Sequence, residues 1–522
     1  MLNSFLLLSC LLLFNDGRVS AQQEDPLKDF CRLFGHSTTV VDRKQYIDGG
    51  LVNWSPVSAS STNYTSKKLS YARGLDEDNL GFPQQSILAK NESVPSVHGG
   101  VLWADEVNKV VYQYGGEYGD GKPEDFNLWY YDIIYNTWNI SNVSTTDVYR
   151  ASWGAGVTVP DKAQGYYYGG WLNNASVPGY NTPIALSNML VYDMVSNSFR
   201  NQSGPDDVPR AEGSMLYLPA GDSGILVYFG GLEQDTDNST DSAERGMDIW
   251  VYSIGDNLWY KQTATGDVPE QRRRFCAGAT WAEDRSSYNI YLYGGASVGE
   301  GLGFGDVYVL SLPSFTWIKY WPRPEDDVGT TNPHHSLSCD VIKGSQMIIM
   351  GGHFTNFTDC DVPTIYAQHG LDLGKQNAEG SKWAQFNPNL TTYQVPNEIH
   401  ETIGGGPTGG ATLLAPTGGW GERDLSVQFG RTVAAATRTP TRSIPNTSST
   451  PTTTFTSTPS PPPTSSNKSV ILGGAIGGAL GGLLLVAGIG FCVLFYRRKA
   501  SRNTPRPPSE LPAQSFADLK SP

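Results

Sequence analysis

Six times in this chain, a run of strand-forming residues ends in two adjacent glycines. "QYIDGG" closes at Gly50, "YQYGG" at Gly116, "YYYGG" at Gly170, "VYFGG" at Gly231, "YLYGG" at Gly295 and "IIMGG" at Gly352, at intervals of 66, 54, 61, 64 and 57 residues. Aromatic and β-branched residues favour a pleated strand. Glycine accepts positive φ and lets another backbone pass close. Each pair (Gly49–Gly50, Gly115–Gly116, Gly169–Gly170, Gly230–Gly231, Gly294–Gly295, Gly351–Gly352) therefore lets the chain turn sharply where its strand stops. A repeat of this length predicts an array of one supersecondary unit rather than a single irregular domain.

Each glycine pair is followed by a second landmark. "NLWYYD" (127–132) leads to Trp138, "MLVYD" (189–193) to Phe199, "DIWVYS" (248–253) to Trp259, "DVYVLS" (306–311) to Trp317 and "YAQHGLDL" (366–373) to Trp383. The first unit is degenerate: "KLSYARGLD" (68–76) has no tryptophan after it. Asp147, Asp207, Asp267 and Asp327 each precede a valine and fall 60 residues apart, marking entry to the next unit. An apolar strand such as "CAGATW" (276–281) comes before the glycines. Each unit thus reads as four strands, and no stretch of 25–400 has helical periodicity. Four-stranded units around an axis are propeller blades, whose bulky aromatics pack on neighbouring blades.

Gly-Gly, a Tyr-Asp type strand and a later tryptophan together resemble the kelch repeat, over about 350 residues. With the flanking segments below, the chain is similar to fungal single-pass cell-surface kelch proteins, and more distantly to the galactose oxidase/kelch superfamily. The resemblance implies an all-β propeller in which the paired glycines and Trp138, Trp259, Trp317 and Trp383 build blades. Six four-stranded blades are expected. "TTYQVP" (391–396) is a candidate closing strand beside the first unit, and seven blades stay open if it recruits further chain.

The ends of the chain have other compositions. Residues 1–21, with "FLLLSCLLLF" and "VSA", read as a secretory signal. After the propeller at 25–400 come a Gly-rich lead-out (401–431) and a Ser/Thr/Pro-rich segment (432–469), expected to be a disordered, O-glycosylated stalk. Val470–Tyr496 carries no charge over 27 residues, long enough to cross a bilayer as a helix. "RRK" follows at once, placing the tail (497–522) in the cytoplasm and the propeller outside: a single-pass type I protein of the plasma membrane. The tail holds six Lys/Arg against two Asp/Glu, so of the net charge of −14 the preceding chain carries −18. That acidity disfavours nucleic acid as a partner. Gly473, Gly477 and Gly481 share one helix face, as do Gly474, Gly478 and Gly482, which fits a homodimer through the span. "RNTPRPP" in the tail fits an SH3-type ligand.

Sequons and cysteines agree with a secretory route. Asn-x-Ser/Thr occurs at Asn63, Asn91, Asn139, Asn142, Asn174, Asn201, Asn238, Asn356 and Asn389, and also at Asn53, Asn446 and Asn467; Pro56 weakens Asn53. Cys10 lies in the signal and Cys492 in the span. Cys31, Cys276, Cys339 and Cys360 remain, an even number expected to form two disulfides. Three pairings are open. Cys339–Cys360 is favoured because a strand and a short return separate them, which leaves Cys31–Cys276.

For function, the residues favour recognition over catalysis. The zinc-protease, serine-hydrolase and P-loop motifs are absent from the sequence. The resemblance raises one enzymatic alternative, a membrane-anchored copper radical oxidase like galactose oxidase, with His and Tyr ligands and a Cys-linked Tyr. Its Tyr-His dipeptide does not occur, and the cysteines are assigned to disulfides. His334, His335 and His353 are close enough in sequence to approach one another, but no metal or cofactor is expected. The favoured constellation is cationic: Arg32, Arg150, Arg210, Arg273 (or Arg274) and His334 each precede the inner strand of a unit, ringing one mouth of a propeller channel. There they hold an anionic or sugar ligand through forked hydrogen bonds, or they brace neighbouring acids. The chain reads as a non-catalytic adhesion or recognition protein for cell-wall glycan or protein ligands.

Overall fold

The computed structural model describes residues 25–445, apart from 26–27, 56–64, 67–69, 76–84, 89, 120–122, 235–241, 244–246, 298–301, 327, 329–330, 356–358 and 434–436. The signal segment, the expected span, the tail and the sequons Asn63, Asn238, Asn356, Asn446 and Asn467 lie outside the described residues. Among the described residues no helix is long and apolar enough to cross a membrane.

The repeats form a β-propeller. Four antiparallel sheets have inner strands Ser37–Val41, Val97–Asp105, Ala155–Val159 and Ser214–Leu218, each sheet four strands wide. The fifth begins with Cys276–Trp281 and gains an extra outer strand, Thr265–Gly266, parallel to Thr316–Trp321. The sixth, from Ser338–Ile342, has three strands. The expectation of six four-stranded blades is thus corrected: five sheets reach four strands and the last does not. Beyond Asp372 its ladder continues only through Asp372 N to Lys382 O (2.8 Å) and Ala384 N to Gly370 O (3.0 Å). The Gln346 side chain then takes over, accepting from Asn387 N and donating to Asn387 O. Pro388, without an N–H, cannot extend a ladder.

The glycine pairs explain how sheets join. All twelve glycines have positive φ. The second of each pair donates its N–H to a carbonyl at the start of the next unit: Gly50 to Val97 (2.9 Å), Gly116 to Ala151 (2.9 Å), Gly170 to Arg210 (2.8 Å), Gly231 to Arg272 (3.0 Å), Gly295 to His334 (2.7 Å) and Gly352 to Leu33 (2.8 Å). The first glycine must lack a side chain for that approach. A Cβ on Gly169 would fall 2.2 Å from the Arg210 carbonyl oxygen, and one on Gly351 2.2 Å from that of Leu33.

The Gly352–Leu33 bond also shows how the ring closes. The inner strands lie side by side in cyclic order, with Ser338–Ile342 returning to Ser37–Val41. A short strand, Phe30–Phe34, pairs with Leu51–Trp54, and the Cys31–Cys360 disulfide ties it to the last unit. Residues 391–396 are not a closing strand. The second disulfide, Cys276–Cys339, links the inner strands of the fifth and sixth sheets. The favoured pairings Cys339–Cys360 and Cys31–Cys276 are both corrected. Cys339 sits at an interface between sheets, and its partner is a spatial neighbour rather than a sequence neighbour.

Aromatic residues fill the gaps between sheets. The fourth-strand ring of one unit packs on the residue before the glycines of the preceding unit: Phe199 on Tyr114 (6.3 Å between centroids), Trp259 on Tyr168 (5.4 Å), Trp317 on Phe229 (5.6 Å) and Trp383 on Tyr293 (5.3 Å). Such pairs contribute roughly 0.5–1.5 kcal/mol beyond area burial. In the first unit Asp48 holds that position. Trp138 accordingly meets a cation, Lys90 (5.2 Å from the ring centroid), which is itself paired with Asp48 (2.5 Å).

The segment after the last sheet packs on the propeller, unlike an irregular lead-out and free stalk. Helix α1, Asn397–Ile403, buries Ile399 and Ile403 beside Val309 and Tyr320. Helix α2, Arg423–Phe429, buries Leu425 and sets Phe429 against Phe315. Further on, Arg438 pairs with buried Asp105 (3.0 Å) and Arg442 with Asp132 (2.6 Å). These are the two arginines of "TRTPTR", so the first part of the expected stalk is anchored to the second sheet.

Candidate functional site

Two residues before five of the inner strands, and near the start of Val97–Asp105, the chain passes through a residue with positive φ: Gly35, Gly99, Trp153, Glu212, Arg274 and Ser336. Their backbones form a closed ring of hydrogen bonds around the axis. Each N–H donates to the preceding member: Gly99 to Gly35 (2.7 Å), Trp153 to Gly99 (2.7 Å), Glu212 to Trp153 (2.6 Å), Arg274 to Glu212 (2.9 Å), Ser336 to Arg274 (2.7 Å) and Gly35 to Ser336 (2.7 Å). The Trp153 indole lies across this ring: a Cβ on Gly99 would fall 2.5 Å from it, and the Arg274 guanidinium covers it at 4.0 Å. The cavity left at the mouth measures only about 130 Å³.

The five candidate cations do not line that mouth as a set of donors. They fall in three registers relative to the ring: Arg32 and Arg150 three residues before it, Arg210 and His334 two before, and Arg273 one before. Arg272, overlooked in the sequence, is the residue equivalent to Arg210. Arg210 is buried against Asp206 (2.9 Å) and Glu233 (2.9 Å) and also donates to the Tyr168 hydroxyl (3.1 Å). Arg272 is buried against Asp306 (2.6 Å) and donates to Gly294 O (3.1 Å). Arg273 and Arg274 both pair with Glu212, at 2.8 and 2.7 Å. Burial alone would raise the Glu212 pKa, but Arg274 and Arg273 outweigh it and hold the carboxyl at about 2. Arg32 donates to Asn53 (3.2 Å), which is itself buried and so a poor glycan acceptor. For Arg210, Arg272 and Arg273 the bracing alternative therefore holds.

Arg150 differs. It is 2 % exposed, yet among the described residues its one hydrogen bond runs from Nη1 to Gly115 O at 3.4 Å, and Nε has no partner there. No carboxylate pairs with it among the described residues; instead the rings of Tyr118 and Phe126 flank it, each at 5.4 Å. Burial lowers its pKa from the ordinary arginine value. It forms part of the wall of a cavity of about 270 Å³ between the second and third units. Phe126, Tyr149 and Pro178 give that cavity apolar faces, with Tyr149 half exposed, and Glu124, Asp125 and Asp147 bring carboxylates. The cavity therefore offers a cationic donor, several acceptors and an aromatic platform. Arg150 was legible as a site residue in the sequence; Asp147 was legible there only as a repeat marker, and the remaining residues come from loops without a repeated spacing.

The histidines divide into two groups. His335 and His353 stack at 5.1 Å, and burial, with help from His353, lowers the His335 pKa to about 3. His334 joins Asp361 and His369 instead. Burial lowers the His334 pKa to about 4 despite the Asp361 carboxylate nearby. The expected trio of His334, His335 and His353 is thus replaced in part by a His–Asp–His cluster that the sequence does not announce, because Asp361 follows a disulfide in an irregular loop. All four described cysteines are in disulfides, leaving no thiol there for a cross-link to tyrosine.

These features define a β-propeller whose glycine pairs and fourth-strand rings resemble the kelch repeat. Over 92 % of its length the chain is 28 % identical to a kelch repeat-containing protein of Arthroderma benhamiae, covering 77 % of that protein. The solved structure of YjhT matches 64 % of the chain and 95 % of its own length with a TM-score of 0.45 at 12 % identity. No protein-family model matches.

Proposed function

We propose that the chain is a non-catalytic recognition protein of the cell surface. Its propeller stands outside on the Ser/Thr/Pro segment, tethered by Val470–Tyr496, and binds a glycan in the cavity between the second and third units. The observation that carries this reading is Arg150: a buried cation with no carboxylate in salt-bridge contact among the described residues, at the wall of a cavity with carboxylates and an exposed ring. A sugar supplies what that set lacks. Its hydroxyls accept from Arg150 and donate to Glu124, Asp125 and Asp147, while its C–H face covers Tyr149. The outward location is supported by two disulfides and by the exposure of Asn91, Asn142, Asn174, Asn201 and Asn389. Asn139 is half-buried on its strand. The homodimer and SH3-type contacts rest on residues outside the described part and stay proposals of the sequence alone.

The test is a glycan array probed with the full chain, repeated with Tyr149→Ala and Arg150→Met. Binding that falls at least about tenfold with both substitutions, at unchanged melting temperature, supports the pocket. Equal binding by all three proteins excludes it.

A further inference from the structure

We propose a divalent transition-metal site, for which zinc is the natural ion, formed by His334, Asp361 and His369. It is independent of the glycan reading. Three separate parts of the last unit bring the donors together. His334 lies on the short strand His334–His335 that enters the unit. Asp361 follows the disulfide-bonded Cys360, and its N–H donates to Cys31 O (2.9 Å), so the ring closure fixes its backbone. His369 sits in the third strand, Gln368–Asp372. Their ligand atoms all lie within 4.8 Å of one another.

The hydrogen bonding suits a cation at this point. His334 Nδ1 is 2.6 Å from Asn332 O. A carbonyl can only accept, so the proton is on Nδ1 and Nε2 presents a lone pair. That lone pair faces Asp361 Oδ2 at 3.8 Å, and neither atom has a hydrogen-bond partner among the described residues. Both residues are 2 % exposed. Two buried acceptors directed at each other are unfavourable unless a cation or proton lies between them. A tetrahedral ion about 2.1 Å from each ligand separates neighbouring ligand atoms by roughly 3.4 Å, close to the observed gap. The Asn332 carbonyl behind Nδ1 is the outer partner that metal-binding imidazoles need.

His369 completes the set. Its Nε2 is 2.9 Å from Asp361 Oδ1, so in the ion-free chain it donates to the carboxylate. On binding, that proton leaves for solvent and the ion takes its place. The His369 side chain is 29 % exposed, which gives the ion a path in and leaves a position open toward solvent. Two imidazoles and one carboxylate, without thiolate, suit zinc better than calcium or magnesium.

The experiment uses the full chain stripped with a chelator, dialysed against micromolar zinc chloride and analysed for metal, with thermal melts in parallel. The expected result is stoichiometric zinc and a raised melting temperature. His369→Ala should weaken uptake by at least about tenfold and abolish the thermal shift. His400→Ala, on helix α1, should leave both unchanged. Partial exposure of His369 makes its variant the one to fold; Asp361→Asn adds a second test where it too folds. A stripped wild-type chain that takes up no zinc, or a folded His369→Ala variant that retains it, overturns the site.

Discussion

Arg210 and Arg150 occupy nearly the same place in successive units, and both are buried, yet their surroundings are opposite. Arg210 has Asp206, Glu233 and the Tyr168 hydroxyl. Arg150 has one long hydrogen bond, two flanking rings and a cavity. A one-residue offset produces the difference. Arg210 sits at the position whose carbonyl receives the glycine latch, whereas Arg150 stands one residue earlier, where Ala151 supplies that carbonyl. The repeat thus fixes the backbone and leaves the charge free to serve either cohesion or recognition.

The strongest way to break this comparison is to remove the braced member. Arg210→Met removes the buried cation that Asp206, Glu233 and the Tyr168 hydroxyl hold, and since both carboxylates are partly exposed the lost charge-assisted hydrogen bonds cost about 3 kcal/mol. Urea denaturation should show that loss. A variant as stable as wild type would mean that Arg210 braces nothing, and the contrast with Arg150 would vanish.

The second test sharpens the braced side by pH. Glu212, two residues beyond Arg210, ties Arg273 and Arg274 together and is held at about 2. In an unfolded chain a glutamate titrates near 4.3. Its folded pKa is depressed, so its contribution is complete above the unfolded value and is lost as pH falls through the folded one. Stability attributable to Glu212, up to about 3 kcal/mol, should therefore disappear between roughly pH 4.5 and 2. Glu212→Gln should remove that part of the pH dependence. An unchanged acid profile in the variant would assign the slope to other carboxylates.

Why the repeat was legible and the charges were not follows from the same two residues. The glycine pairs and fourth-strand aromatics recur because every interface needs the same close approach and the same filling ring. A spacing near 60 residues exposes them. The partners of Arg210 are read only in three dimensions: Asp206 is four residues away, but Glu233 lies on a strand paired across the unit. The neighbours of Arg150 come from three loops. Disulfide pairing failed for a similar reason, since Cys276 and Cys339 meet across two sheets. The Ser/Thr/Pro composition of 432–469 hid Arg438 and Arg442, whose carboxylate partners Asp105 and Asp132 lie more than 300 residues away in the chain.

A backbone control shows whether the asymmetry really belongs to the side chains. Gly169 abuts the Arg210 carbonyl, and Gly115 abuts that of Ala151, where an added Cβ would lie 2.4 Å from the oxygen. Both have positive φ. Gly169→Ala and Gly115→Ala should each cost about 1–3 kcal/mol, by similar amounts, as read from denaturation midpoints. If only Gly169→Ala is costly, the latch itself differs between units, and the arginines are not the source of the contrast.

The smallest expected effect is the most informative. Arg150→Met removes a buried charge that no carboxylate contacts among the described residues, and supplies a side chain that can lie between Tyr118 and Phe126. The lost cation–π attraction and the relieved desolvation oppose each other, so the change in stability should stay within about 1 kcal/mol of zero. The measurement is the urea midpoint of Arg150→Met beside that of Arg210→Met in the same buffer. A loss as large as that of Arg210→Met would make Arg150 a brace with a partner of comparable strength, and the cavity beside it would lose its claim on a ligand. Near-equality with wild type leaves a buried cation that folding does not require, and recognition is then the role that accounts for it.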